Sequence, residues 1–345
     1  MFSRSISVLF LTQTFLFGVE PILLGFSQDA RIEPRDSSDI SVNFSFNEYF
    51  ASQDEMEVGY AGNTADLFYP VYQVPQGEVL RLGNNYRPGF QVGFKSALPI
   101  DHWIFGGDYL WYRGHAATKH YHHGTDYYMS PLFVSPYNLV LSSIAADWYL
   151  ALDLVDFFLT RPYYEGKRVT VEPLLGIKVG SIRQNLDVHA DVLEGDWETQ
   201  EVTARSRALG IGPKLGCQSN YLLGKGFALF GDLAATFFYS RYTKNRIRYD
   251  NYGEYSNSLK ENGYSALRPI MEAGMGLSWK GYFGLGSGSY NWHKTFYMSL
   301  SCAYNFSLFF SQNVSRGLIQ TANKGQSTPG NLYLQGFSVG MDFIF

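Results

Sequence analysis

The chain has 345 residues, 31 acidic against 27 basic, and its formal net charge of −4 offers no basic footprint for nucleic acid. Charged side chains make up only 17%, while Gly (35), Tyr (26) and Phe (27) exceed ordinary usage. With a slightly negative mean hydropathy, this composition excludes a bundle of helical membrane spans and suits half-apolar strands, in which apolar and polar positions cancel in the average.

The N-terminal 27 residues read as a secretory signal. Arg4 supplies a short basic region, "ISVLFLTQTFLFG" an apolar one, and Gly25 and Ser27 put small residues before a cleavage site at Gln28. A membrane anchor is the rival reading, but Gln13, Thr14, Glu20 and Pro21 interrupt the run, and no later stretch reaches the roughly 20 apolar residues that a helical span needs. Residues 28–40 are then an N-terminal periplasmic segment and 41–345 a β-barrel.

Alternation with a period of two recurs down the rest of the chain. It predicts ten strands, near 41–50, 88–98, 103–114, 140–155, 168–183, 204–219, 226–243, 265–280, 293–309 and 331–345. In "VTVEPLLGIKVG" Val169, Val171, Pro173, Leu175, Ile177 and Val179 share one face, and in "FALFGDLAATFFY" Phe227, Leu229, Leu233, Ala235, Phe237 and Tyr239 do. Trp103 and Trp111 stand eight residues apart on one face, about 20 Å of tilted strand, which suits two aromatic girdles. Connections alternate long (51–87, 115–139, 184–203, 244–264, 310–330) with short (99–102, 156–167, 220–225, 281–292). An even strand count with tight turns at one end is the plan of an all-β, transmembrane antiparallel barrel of the outer membrane, with both termini on the periplasmic side. Cys217 and Cys302 read as small apolar strand residues rather than a disulfide framework.

The last strand, "LQGFSVGMDFIF", carries Phe337, Val339, Met341, Phe343 and Phe345 on one face against Gly336, Ser338, Gly340 and Asp342. Its apolar face and terminal Phe resemble the C-terminal signal by which outer-membrane proteins engage the barrel-assembly machinery. More widely, "RPGFQVGF", "WYLALDLVDFFLTRPYYEGKRVTVEPLLGIKVGSIRQNLDV", "LGIGPKLGCQSNYLLGKGFALFGDLAATFFYSRY" and "NLYLQGFSVGMDFIF" resemble the Legionella-type major outer membrane protein family over about residues 86–345. Residues 41–85 depart from it, "FSFNEYF" echoing the family's aromatic first strand only loosely. The resemblance implies a pore-forming barrel in the Gram-negative outer membrane, embedded in its lipid bilayer, and suggests a homo-trimer as one oligomeric state. It offers no catalytic residues.

By strand parity the candidate lumen-lining charges are Lys95, Asp108, Asp147, Asp153, Glu172, Lys178, Lys214, Asp232, Arg268, Glu272 and Asp342. Ten strands enclose a backbone diameter of about 20 Å, between filled eight-stranded barrels and open sixteen-stranded porins. Small inward positions such as Ala208, Gly210, Gly212 and Gly216 favour a narrow channel for ions and small solutes, with Phe230, Leu174 and Tyr297 as constricting groups.

Two other readings stand beside it. A barrel with a plugged lumen would act through its loops as an adhesin or structural protein, and the acidic stretch "NLDVHADVLEGDWETQEV" is a candidate binding loop. An outer-membrane enzyme would need a converging nucleophile and base. His189 between Asp187 and Asp191 is the nearest local cluster, but it comes with no nucleophile, so the reading is of a non-enzyme. His115, His120, His122, His123 and Asp126 have donor atoms for Zn²⁺ but no fixed ligand spacing, and "GLGSGS" reads as a flexible turn, so no cofactor or metal is expected.

Overall fold

The computed structural model describes residues 22–26, 39–54, 56–63, 77–83, 85–121, 127–131, 141–193, 199–251, 255–260, 263–284, 295–313 and 330–345. Ten antiparallel strands form the wall: β1 Ile40–Gln53, β2 Arg87–Ala97, β3 Ile104–Tyr121, β4 Leu141–Thr160, β5 Val169–Val192, β6 Thr199–Gly224, β7 Phe227–Asn251, β8 Ser265–Gly284, β9 Thr295–Asn313 and β10 Gly330–Ile344. Each pairs with its sequence neighbours, and β10 pairs with β1 from Leu332↔Gln53 to Ile344↔Ser41, which closes the cylinder. Below the last ladder pair, Ile40 N donates to Phe345 O at 3.3 Å and Phe345 N to Ile40 O at 3.0 Å. The first strand, faint in the sequence, is therefore half of the closing seam.

One end has tight turns. Between β6 and β7 the chain reverses through Gly224, Lys225 and Gly226 at φ of 120°, 52° and 81°, a left-handed path that glycine adopts without strain. Residues 161–168 join β4 to β5 through Tyr164–Glu165, a two-residue strand on β5. Along the lower end of β8 lies Ile22–Phe26, part of the segment read as an export signal. Residues 1–21 and 27–38 lie outside the described residues.

The strands run much further than expected. β5, β6 and β7 have 24, 26 and 25 residues, whereas a tilted crossing of the bilayer needs about 10. The stretches expected as loops at 115–139, 184–203 and 244–264 are consequently in large part ladder: β3 reaches Tyr121, and Asp187↔Thr203, His189↔Glu201 and Asp191↔Thr199 pair across β5 and β6. The physical reason is a reversal of polarity along each strand. On β6 the outward face is apolar at Leu215, Pro213, Ile211 and Leu209, then turns to Arg207 and Arg205. On β7 it changes from Phe237 and Tyr239 to Arg241, on β3 from Trp111 to Arg113, and on β5 from Val179 to Ser181 and Arg183. Inside, the order is opposite: Lys178 and Lys214 below, and buried Ile182, Leu186, Val188, Val202 and Ala204 above. Lipid surrounds the lower half and water the upper half, so the face that must be apolar changes sides at the rim.

At that rim Trp111 stacks on Phe90, centroids 5.2 Å apart, with Arg113 4.9 Å above the indole. Trp103 sits at the opposite end, in the β2–β3 turn, its N–H donating to Ile100 O. Cys217 and Cys302 are free and face outward. Over the outer mouth folds a second sheet of three short strands, in the order Gly77–Arg81, Glu57–Asn63, Tyr127–Pro131. Its Val58, Ala61, Leu80 and Met129 are buried in one cluster with Ala51, Leu141 and Ile144 of the wall.

Because an unpaired backbone group in lipid costs several kcal/mol, removing Phe343–Phe345 should unseal the lower seam. The expected result is a marked loss of the compact, heat-sensitive species on a cold detergent gel; an undiminished compact band would show that the seam tolerates fraying.

Candidate functional site

The interior is the one surface to which all ten strands contribute. Its lower half is polar. Lys95 faces Ser41, Asp342 faces Ser299 and Asn43, Glu172 faces Gln218, and Asp232 faces Gln218 and Gly274. Asp108 accepts from Asn43 Nδ2 at 3.4 Å. Lys95, Asp108, Asp232 and Asp342, with Ser301, Ser307 and Asn305, line a cavity of about 340 Å³, and Leu174 and Phe230 also border it. Tyr297 has its side chain outside the described residues.

Four charges meet at the top of this chamber. Lys178 Nζ lies 2.8 Å from Asp156 Oδ2 and 2.8 Å from Glu272 Oε1, while Lys214 Nζ lies 2.7 Å from Asp156 Oδ2 and 2.7 Å from Glu272 Oε2. The carboxylates come from β4 and β8 and the lysines from β5 and β6, so the ring of alternating charge spans the bore. Register makes the room: Lys178 is paired with Gly212 and Lys214 with Gly176, so each lysine lies beside a residue without a side chain. At Gly212 a Cβ would collide with the Phe237 carbonyl. Lys178 is only 2% exposed, and a charge so buried is tolerable because both of its neighbours are carboxylates.

Above the ring the lumen is filled largely by apolar side chains. Leu154, Leu152, Leu150, Trp148, Ile182, Phe238, Ile270, Phe309, Leu332 and Leu334 form one buried cluster that runs up to the small sheet over the mouth. Tyr112 meets Tyr49 edge-on at 5.7 Å inside it, and the Tyr112 hydroxyl donates to Tyr49 O. Arg268 reaches this level, opposite Phe238, and donates to Tyr264 OH at 3.4 Å. Higher still, burial pushes the Tyr249 phenol up to about 12, so it adds no charge to the plug at neutral pH. Among the described residues the polar cavity left by small inward side chains lies below the ring.

Nine of the eleven parity candidates point inward. Asp147 and Asp153 point outward and are corrected here. Asp153 is paired with Trp111 across β3, and it accepts from Arg113 at 2.7 Å, Arg183 at 2.9 Å and Tyr109 OH at 3.1 Å. Asp147 lies 3.1 Å from His115 Nε2. Both stand at or above the rim, where outward charges meet water, and parity that assumes an apolar exterior inverts there. The inward acid of this strand is Asp156, which falls just past the expected strand end at 155. Lys280 is a second inward charge that parity missed. The alternation of Asp156 with Leu154 and Phe158 was the available signal.

The remaining clusters are also external. His189 lies 3.3 Å from Asp191 and 3.4 Å from Glu201, and Ser143 Oγ donates to Asp191 at 2.6 Å. That serine bonds the carboxylate rather than the imidazole. His120 bonds Thr118; His122, His123 and Asp126 lie outside the described residues.

Residues 47–345 match the model of the family described as Legionella pneumophila major outer membrane protein precursor, a longer match than the likeness over 86–345 and one that begins within β1. No curated protein matches the chain. Solved structures similar to it include the outer membrane protease OmpT of Escherichia coli, 10% identical with a TM-score of 0.42, covering 92% of this chain and 99% of that one. They also include Ail, the attachment invasion locus protein of Yersinia pestis, at 10% identity, TM-score 0.24 and coverage of 90% and 100%. The toluene transporter TodX of Pseudomonas putida follows at 7%, 0.27 and 92% of each chain.

Replacing Lys214 by Met strips Asp156 and Glu272 of half their compensation and should cost about 3 kcal/mol, the scale for breaking a buried pair. Urea unfolding in detergent, followed by gel mobility, should show the midpoint fall, and Asp153→Asn should leave it nearly in place. An unchanged midpoint for Lys214→Met would mean that the ring does not brace the bore.

Proposed function

We propose a surface role for this chain, which belongs to the Legionella pneumophila major outer membrane protein family. The barrel lies in the outer membrane, and we infer that in the conformation described its lumen is shut, so that it works through its outer wall and mouth as an adhesive or structural barrel. The observation that carries this reading is the buried apolar cluster above the ring. A hydrated ion entering from the chamber would meet the Lys178–Asp156–Lys214–Glu272 ring and then Leu152, Ile144, Ile270 and Phe309, each of them at most 1% exposed. Hydrophobic constrictions of this kind close pores by excluding water.

A narrow diffusion pore is the second reading, favoured by the polar cavity of about 340 Å³ on the periplasmic side. It requires the plug to shift, and its selectivity would then be set by the ring and by Asp108, Asp232 and Lys95. The outward face of β10, with Phe337, Val339, Met341 and Phe345 exposed and Phe343 stacked on Phe345, supports delivery by the barrel-assembly machinery under either reading.

Purified full-length protein in a planar bilayer should give no discrete current steps at high protein load. Regular steps whose reversal potential moves on Lys214→Glu would replace the surface reading with the pore.

A further inference from the structure

The outer wall of β5–β7 carries cations set side by side. In the ladder Arg183 is paired with Arg207 and Arg207 with Lys244, forming one row across three strands. Two residues higher Arg205 is paired with Arg246, and Arg246 with Lys260 of the short strand Tyr255–Lys260. Register partners point to the same side of a sheet with their Cβ atoms about 5 Å apart, and like charges so placed repel. The acids on this face are engaged elsewhere: Asp153 with Arg113 and Arg183, Asp250 with Arg248, and Glu201 with His189. Asp187 lies opposite Thr203, off both rows. Among the described residues Arg205, Arg207, Lys244, Arg246 and Lys260 have no carboxylate partner.

Two further facts point to an anionic ligand. Thr203, Arg205, Lys244, Arg246 and Arg248 line a cleft of about 140 Å³, and within this group Arg246 Nε is shielded from solvent without a hydrogen-bond partner. Height supplies the identity. The last apolar outward residue on β6 is Leu209, so the rows stand two and four residues above it, about 5 and 10 Å up a tilted strand. The polar headgroup layer on each side of the hydrocarbon core is about 5–8 Å deep. Both rows thus stand at or just above the headgroups of the outer leaflet, on the side of the membrane away from the tight turns.

We propose that this face binds the phosphorylated headgroup of an outer-leaflet glycolipid, one phosphate seated between Arg205 and Arg246 and neighbouring anionic groups met by Arg207, Lys244 and Lys260. Guanidinium forks bind phosphate oxygens in pairs, and one bridging phosphate converts the mutual repulsion of two opposed arginines into two attractions. Such a lipid is held to the wall of the barrel, as part of the fold's environment, and never enters the lumen.

The test uses the full-length protein in detergent, with diphosphoryl lipid A, fully dephosphorylated lipid A and inorganic phosphate as probes, and binding read by native mass spectrometry. Diphosphoryl lipid A should stay bound, the dephosphorylated form should not, and the double variant Arg205→Gln/Arg246→Gln should bind about tenfold more weakly or worse. Lys167→Gln, on the opposite end of the barrel, should bind as the parent does. A second readout separates a ligand site from a structural one. Arg246→Gln should raise the unfolding temperature without lipid, because it relieves repulsion, and lower it with diphosphoryl lipid A present. If the Arg205/Arg246 variant does not fold, Arg207→Gln/Lys244→Gln carries the same expectations. Equal binding of the dephosphorylated lipid, competition by millimolar inorganic phosphate, or parent-like binding by the folded variants would each overturn the proposal.

Discussion

A strand in hydrocarbon has no water to satisfy its N–H and C=O groups, so a sheet placed there must have no edge. Every other feature of this molecule follows from how the chain meets that condition. The seam between β10 and β1 joins residues 332–344 to residues 41–53. Once the cylinder is closed the number of strands sets the bore. At ten strands the interior is too wide to be filled by methyl groups and too narrow to hold bulk water along its length. The protein resolves this differently at two heights, with charged groups, serines and small residues below and mainly apolar side chains above.

The charge ring lies at the boundary between these fillings. Lys178 and Lys214 could not stand in the apolar half without large desolvation losses, and in the open chamber their pairing with Asp156 and Glu272 would be weakened by water. At the boundary they tie β4, β5, β6 and β8 together across the bore, a direction in which ladder hydrogen bonds give no support. The plug also buries polar side chains that bond one another: Gln184 Nε2 donates to Gln312 O and the Tyr242 hydroxyl to Gln312 Oε1, beside the tyrosine pair Tyr49 and Tyr112 and Arg268 against Tyr264.

Much of this was legible in the alternation. The ten strands, the closing seam, the outward face of Phe337, Val339, Met341 and Phe345, and nine inward charges follow from a period of two, because a pleated strand has only two sides. The failures share one cause. "NLDVHADVLEGDWETQEV" was read as an acidic loop because its charges break an apolar pattern, yet Leu186, Val188, Ala190 and Val202 keep the alternation and are buried. What changed was the solvent outside, which a local pattern cannot report. The same inversion put Asp153 on the wrong side and hid Asp156. Long-range pairing was out of reach for a different reason: Glu57–Asn63 meets Tyr127–Pro131 across a wide gap in sequence, and neither segment alternates strongly enough to announce a partner.

The extension of β5, β6 and β7 past the rim also has a mechanical meaning. Roughly a dozen residues of each strand stand above the lipid, a rigid pedestal about 30 Å tall. It is built from the continued β5–β6 and β6–β7 ladders, and a chain segment mounted on its top is held well above the hydrocarbon edge.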